Sequence, residues 1–240
     1  MSARTHRAED TREAILVTAE RLFAEHGVYT VSNRQISEAA GQGNNTAVGY
    51  HFGGKSDLVR AIVRRHSVPI ERRRAERVAE ADGSTEVRDW VACLVHPVVD
   101  HLAALGVPTW FARFGAQVMS DPTLRTAMSE EAMSGPSLTY LLDRLNQCLP
   151  ELPLDVHLER GVMARHLIVH MCAERERALA DGTLTPRASW QEAANGLVDG
   201  ITGLWVAPVT THTGGHDRPR GASRDPGHTD HIRDTEERAR

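Results

Sequence analysis

Residues 30–58 read TVSNRQISEAAGQGNNTAVGYHFGGKSDL. Ser32 with Gln35 three positions on is a capping box, so a helix starts there, with Ile36, Ala39 and Ala40 as its inward face. Gly41 ends that helix. Gln42, Gly43 and Asn44 turn the chain, and Asn44 caps another helix running to about His51, with Ala47 and Val48 inward. Asn45, Thr46, Gly49, Tyr50 and His51 are left outside, a face that hides little from water but carries groups able to reach phosphates and base edges. Two short helices joined by a tight turn, the second with such a face, predict a helix-turn-helix reading head.

Upstream, Asp10 with Glu13 caps a first helix that repeats apolar residues at helical spacing (Ile15, Leu16, Ala19, Leu22, Phe23) and stops at His26-Gly27. Residues 1–9, with Arg4 and Arg7, are expected to be a flexible polar arm, either without function or adding a backbone or minor-groove contact. Downstream, Gly54 opens a fourth helix with Leu58, Ala61, Ile62 and His66 inward, and Pro69 is expected to kink it. The run Glu71 to Glu80 reads as a solvated surface, and Asp82-Gly83-Ser84 as a break. Helical periodicity returns from Val87 to Leu102, then in a short helix opened by Pro108. It continues from Asp121-Pro122 to Leu145 with a bend at Gly135-Pro136, over 154–180, and from the Ser189/Glu192 cap to Trp205. No stretch alternates as a strand would. The chain is predicted to be all-α: an arm (1–9), a three-helix head (10–66), a helical body (67–207), and a tail (208–240) too poor in apolar residues to offset its ordering entropy.

The formal net charge of −4 conceals an asymmetry, +2 over residues 1–66 against −6 over 67–207, which suits a DNA-contacting end on a body not drawn to phosphate. Lys55 is the only lysine. Three well-separated cysteines with no CxxC pair indicate reduced core residues. With no apolar run of membrane-spanning length and charges spread through residues 1–25, a cytoplasmic protein is expected. There is no phosphate-cradling glycine loop, no HExxH and no nucleophile elbow, so neither an enzyme nor a cofactor is expected.

The run from LFAEHG at residues 22–27, through Ile36 and Ala39-Ala40-Gly41, to Tyr50-His51-Phe52 followed by Lys55 and Leu58 resembles the tetracycline-repressor-type (TetR) family of transcriptional regulators. The resemblance implies an N-terminal helix-turn-helix domain followed by a helical effector-binding and dimerisation domain. It implies that Ser32, Asn33 and Arg34 approach the DNA backbone, that Asn44, Asn45, Thr46, Gly49, Tyr50 and His51 serve the recognition helix, and that Lys55 contacts a phosphate. The partners implied are a near-palindromic double-stranded operator, a small-molecule effector of unknown identity, and a second copy of the chain. Two features depart from the family pattern: the turn at 41–44 is one residue longer than its commonest form, and Gly49 stands where many members carry an aromatic. The rival is a ligand-binding or protein-interaction homodimer whose head no longer reads DNA.

Further assignments follow from residue type. Trp110, Phe111, Phe114, Met128, Met163, Leu167 and His170 are candidate effector contacts, although core filling accounts for such residues equally well. Gly196, Gly200 and Gly203 lie on or near one face of the last helix, where each costs about 1 kcal/mol against alanine. With Leu204 they are candidates for close approach by a second copy. His166 and His170 have i,i+4 spacing but nothing acidic or sulfurous to complete a metal site, so no metal is expected.

Overall fold

The computed structural model describes residues 3–44 and 46–210. Among these, ten helices and no strand are found, in agreement with the all-α expectation. Asn45 and residues 211–240, which include most of the expected tail, lie outside the described residues.

The head begins with α1 (Ala3–His26), whose start lies well before the cap expected at Asp10, so residues 3–9 continue the helix. Gly27 ends it at φ 86°, donating to the carbonyl of Phe23 at 2.9 Å. Next come α2 (Asn33–Ala39) and α3 (Ala47–Phe52). Ile36 and Val48 are fully buried, but Ala39, expected to face inward, is exposed, and Ser37 is buried instead. The fourth helix, α4 (Lys55–Glu80), runs unbroken past Pro69 from head to body. Proline there removes one backbone donor, and burial of Leu58, Ile62, His66 and Ile70 on one face holds the helix together across it.

The body continues with α5 (Val87–Leu105), which contains Pro97, and α6 (Phe111–Met119), which starts three residues after Pro108. The expected bend at Gly135-Pro136 is a true break between α7 (Pro122–Met133) and α8 (Pro136–Cys148). Two long elements, α9 (Leu154–Ala180) and α10 (Trp190–Val206), close the described chain. Two caps read from sequence are present, where Asp121 accepts from the Leu124 amide at 2.8 Å and Ser189 from the Glu192 amide at 3.1 Å. At α3, however, Thr46 rather than Asn44 is the N-cap, and it makes no side-chain cap bond.

The chain up to Val209 forms one compact unit with a continuous apolar core. Helix α6 packs on both α9 and α1, α7 packs on α4, and α10 packs on α5. Two ion pairs, Arg60–Glu130 (3.3 Å) and Arg64–Glu131 (2.8 Å), join α4 to α7. The charged run 71–80 is less solvated than its composition suggested. Arg74 is only 6% exposed and donates to Glu71 at 2.8 Å, while the other Glu71 oxygen accepts from the Ser137 amide at 2.6 Å and so caps α8. Gly135 permits this approach, because a Cβ there would overlap the Glu71 carboxyl group. No described helix is long and apolar enough to cross a membrane.

Candidate nucleic-acid interface

The start of α2 is fixed by its own side chains. Ser32 is extended (φ −84°, ψ 154°), its Oγ accepts from the Gln35 amide at 3.2 Å, and Gln35 Oε1 accepts from the Ser32 amide at 2.8 Å. Ser32 is exposed beside this box. Arg34 projects outward and pairs with Glu38 at 2.7 Å, which partly offsets its attraction for phosphate. Asn33 is half-buried, and its Oδ1 has no hydrogen-bond partner.

The turn that follows uses Gly41 at φ 71°, where a side chain would be strained. Asn44 Oδ1 then accepts from the Thr46 amide (3.0 Å) and Thr46 hydroxyl (2.7 Å), organising the entry to α3. Ala47, Val48 and Phe52 anchor α3 in the core, and the Arg12 guanidinium of α1 lies 4.9 Å from the Phe52 ring centroid. Outward from this anchor stand Thr46, Gly49 and Tyr50, with Tyr50 84% exposed and His51 half-buried edge-on beneath it at 5.1 Å. A Cβ at Gly49 would meet open space, so the missing side chain leaves no void inside the head. The face is a short polar ridge with a hydroxyl, a phenol and an imidazole side by side, chemistry that suits phosphate oxygens and base edges.

Lys55 does more than sequence reasoning assigned to it. Its ammonium donates to the carbonyls of Val28 (2.9 Å) and Val31 (2.7 Å), which ties the α1–α2 loop to the first turn of α4. Partial burial lowers its pKa. Two of its three N–H groups are thereby engaged within the head.

The residues proposed for an effector do not converge on one site. Phe111 and Phe114 are packed into the core against His66 and Phe23. Trp110 and Met128 are partly buried against the same core. Met163, Leu167 and His170 instead lie on the outer surface of α9, lining an open apolar groove of about 460 Å³ with His166, Met171 and Leu204. Leu158, Val162 and Met163 extend that apolar surface along the helix. On α10, Gly200 and Gly203 face open space, whereas Gly196 lies beside the Arg187 side chain. His166 and His170 stack in parallel at 5.4 Å, and among the described residues no group of three or more His, Cys, Asp or Glu could hold a metal.

Several organising contacts had no signal in the sequence, although helical spacing did turn His66 inward. Glu20, His66 and His101 meet in the core, and Glu176 of α9 binds the start of α6.

Comparison with known families places these elements. The profile described as bacterial regulatory proteins, tetR family, matches residues 15–62, and a tetracyclin repressor-like C-terminal domain matches residues 92–203. The chain belongs to the TetR family. This TetR-family protein is 38% identical over 78 residues to the HTH-type transcriptional repressor AcnR of Corynebacterium efficiens, and equally to that of Corynebacterium glutamicum. That match spans 32% of the chain and 38% of each relative's length. A TetR family transcription regulator from Marinobacter aquaeolei VT8 superposes with TM-score 0.54 at 16% identity, covering 81% of this chain and 97% of that one. A regulator described as tetR family from Shewanella sp. PV-4 gives 0.52 at 20% identity, covering 81% and 96%. At these identities the two structures establish the shared fold, and the TetR family is one of regulators, not of enzymes.

Proposed function

We propose that this TetR-family protein is a cytoplasmic transcriptional repressor that binds a near-palindromic operator as a homodimer and is released by a small molecule. The observation that carries the DNA-binding part is the exposed Thr46–Gly49–Tyr50 ridge on a helix anchored by Ala47, Val48 and Phe52 and entered through a capped turn. The name of the Corynebacterium relatives, transcriptional repressor, supports repression as the outcome. Residues 10–66 act as the reading head and 67–207 as the body, with α4 shared between them.

Pairing of two copies accounts for the outer face of α9 and α10. Leu158 is 60% exposed, Val162, Met163, Leu167 and Met171 follow it along α9, and Gly200 and Gly203 leave room for another helix to approach. A contiguous apolar surface of this kind is covered in a stable soluble protein, and a twofold pair of heads matches a palindromic site. This reading moves Met163, Leu167 and His170 from the effector site to the subunit interface and keeps Leu204 there. The effector part rests on the tetracyclin repressor-like body, and binding there shifts the population between arrangements with different head spacing.

Selection of bound fragments from random DNA, followed by the mass of the complex, tests the proposal. A near-palindrome carrying two or a multiple of two chains is expected. No enriched sequence would favour the rival, a ligand- or protein-binding dimer with a degenerate head.

A further inference from the structure

Three groups from three helices meet in the core where head and body join. His66 of α4 places Nε2 2.9 Å from Glu20 Oε2 on α1 and Nδ1 2.8 Å from His101 Nε2 on α5. All three residues are 6% exposed or less. With a carboxylate as acceptor, His66 Nε2 carries a hydrogen and donates to Glu20. With both rings neutral, His66 Nδ1 is then an acceptor, and His101 Nε2 carries the hydrogen that it donates to His66. Arg65 closes the solvent side, with its guanidinium 3.2 Å from Glu20 and 2.8 Å from Glu13.

The bridge continues into the body. The Phe111 ring of α6 stacks on His66 at 3.8 Å and 15°. The next two amides, of Ala112 and Arg113, donate to the Glu176 carboxylate at 3.1 and 2.9 Å, and Arg113 Nε donates to it at 3.1 Å. Glu176 is 2% exposed and sits on the inner side of α9, whose outer side carries Leu167 and Met171. Removing a partner from either hydrogen-bonded end leaves a buried polar group unpaired, so those ends are held to one geometry, and the Phe111–His66 stack joins them by packing.

We propose that this buried chain, from Glu176 on α9 through Phe111 on α6 to His66, Glu20 and His101, transmits a change at α9 to α1 in the head. The proposal deepens the regulatory reading above and rests on it for its purpose, since pairing or ligand binding at α9 would reach the head by this route as well as along α4. The geometric reason is that α6 touches both α9 and α1, and its first turn is positioned by Glu176 at one end and by the His66 stack at the other.

The test is a double-mutant cycle read by amide hydrogen exchange in the full chain, without DNA. The variants are Glu176→Gln, His101→Leu and their combination, with His101→Gln as the version that keeps a donor facing His66. Exchange is followed in peptides from α1 (residues 15–26) and, as a reporter of global opening, from α8 (residues 138–145). Each single variant is expected to speed α1 exchange about tenfold or more, with α8 little changed. The double variant should be no faster than the faster single, and His101→Gln should stay near wild type. Independent effects that multiply in the double variant, or His101→Leu indistinguishable from wild type, would overturn the proposal. Equal acceleration of α1 and α8 would also overturn it, as the mark of a general loss of stability. Should His101→Leu not fold, Phe111→Leu replaces it in the cycle with the same expectations. A chain that failed to bind any operator would leave these outcomes unchanged, so the two readings fail separately.

Discussion

Replacing His101 with leucine should remove a specific part of the acid sensitivity of folding. In the unfolded chain this imidazole takes up a proton near 6.5. In the folded chain burial, then the neighbouring His66, Arg73 and Arg65, push its pKa down to about 4. Between those two values the unfolded state binds more protons than the folded state, so stability rises with pH across that window. The contribution is complete above 6.5 and is lost as the pH falls toward 4. The gap corresponds to about 3 kcal/mol per chain, of which about 2.5 kcal/mol is gone by pH 4.5. Urea unfolding of wild type and His101→Leu, followed by far-UV circular dichroism at one protein concentration, reads this directly. The stability difference, wild type minus variant, should fall by about 2.5 kcal/mol between pH 7.5 and pH 4.5. Any cost of the substitution that does not depend on pH, such as a small cavity, cancels in that comparison. Parallel pH profiles for the two proteins would refute the reasoning and mean that His101 is protonated as readily inside as outside.

Other expectations follow from the same geometry. Glu71→Ala strips Arg74 and the Ser137 amide of their acceptor, leaving a buried guanidinium unpaired; unfolding should become easier by about 3 kcal/mol in denaturant titration, and a change below about 0.5 kcal/mol would contradict it. Gly200→Leu with Gly203→Leu fills the open face of α10, so sedimentation at micromolar concentration should show a dimer in wild type and a monomer in the variant. Lys55→Met removes the tie between Val28, Val31 and α4, and should lower both operator affinity and thermal stability. A lysine serving only a phosphate would instead reduce the salt slope by about one and leave the melting temperature alone.

Local signals were legible where a residue acts on its own neighbourhood. Ser32/Gln35, Asp121 and Ser189 cap the helices that their spacing predicts, and Gly27 and Gly41 adopt the positive φ that ends a helix. Proline was less informative. Pro69 and Pro97 lie inside helices whose packed faces outweigh one missing hydrogen bond, whereas Pro136, preceded by a glycine, opens a new helix. Asp10 gave a false start because nothing local stops α1 from continuing toward Ala3. The recognition face was readable because its meaning lies in adjacent polar residues on a short helix. The pairing of Glu20 with His66 and of Glu176 with the start of α6 was not, since it joins residues 46 and 64 positions apart. For the same reason Arg74 looked solvated in a charged run, and Phe111 looked as suited to a ligand as to the imidazole it stacks on.

The most direct measurement is titration of the best selected DNA site with wild type and Tyr50→Ala at two salt concentrations. Tyr50 is 84% exposed and supports nothing inside the head, so its loss should leave folding intact. The expected result is strongly salt-dependent binding, with the variant about tenfold weaker or more on the selected site and little changed on random DNA. Weak binding that ignores both the site and Tyr50 would contradict DNA reading by this head.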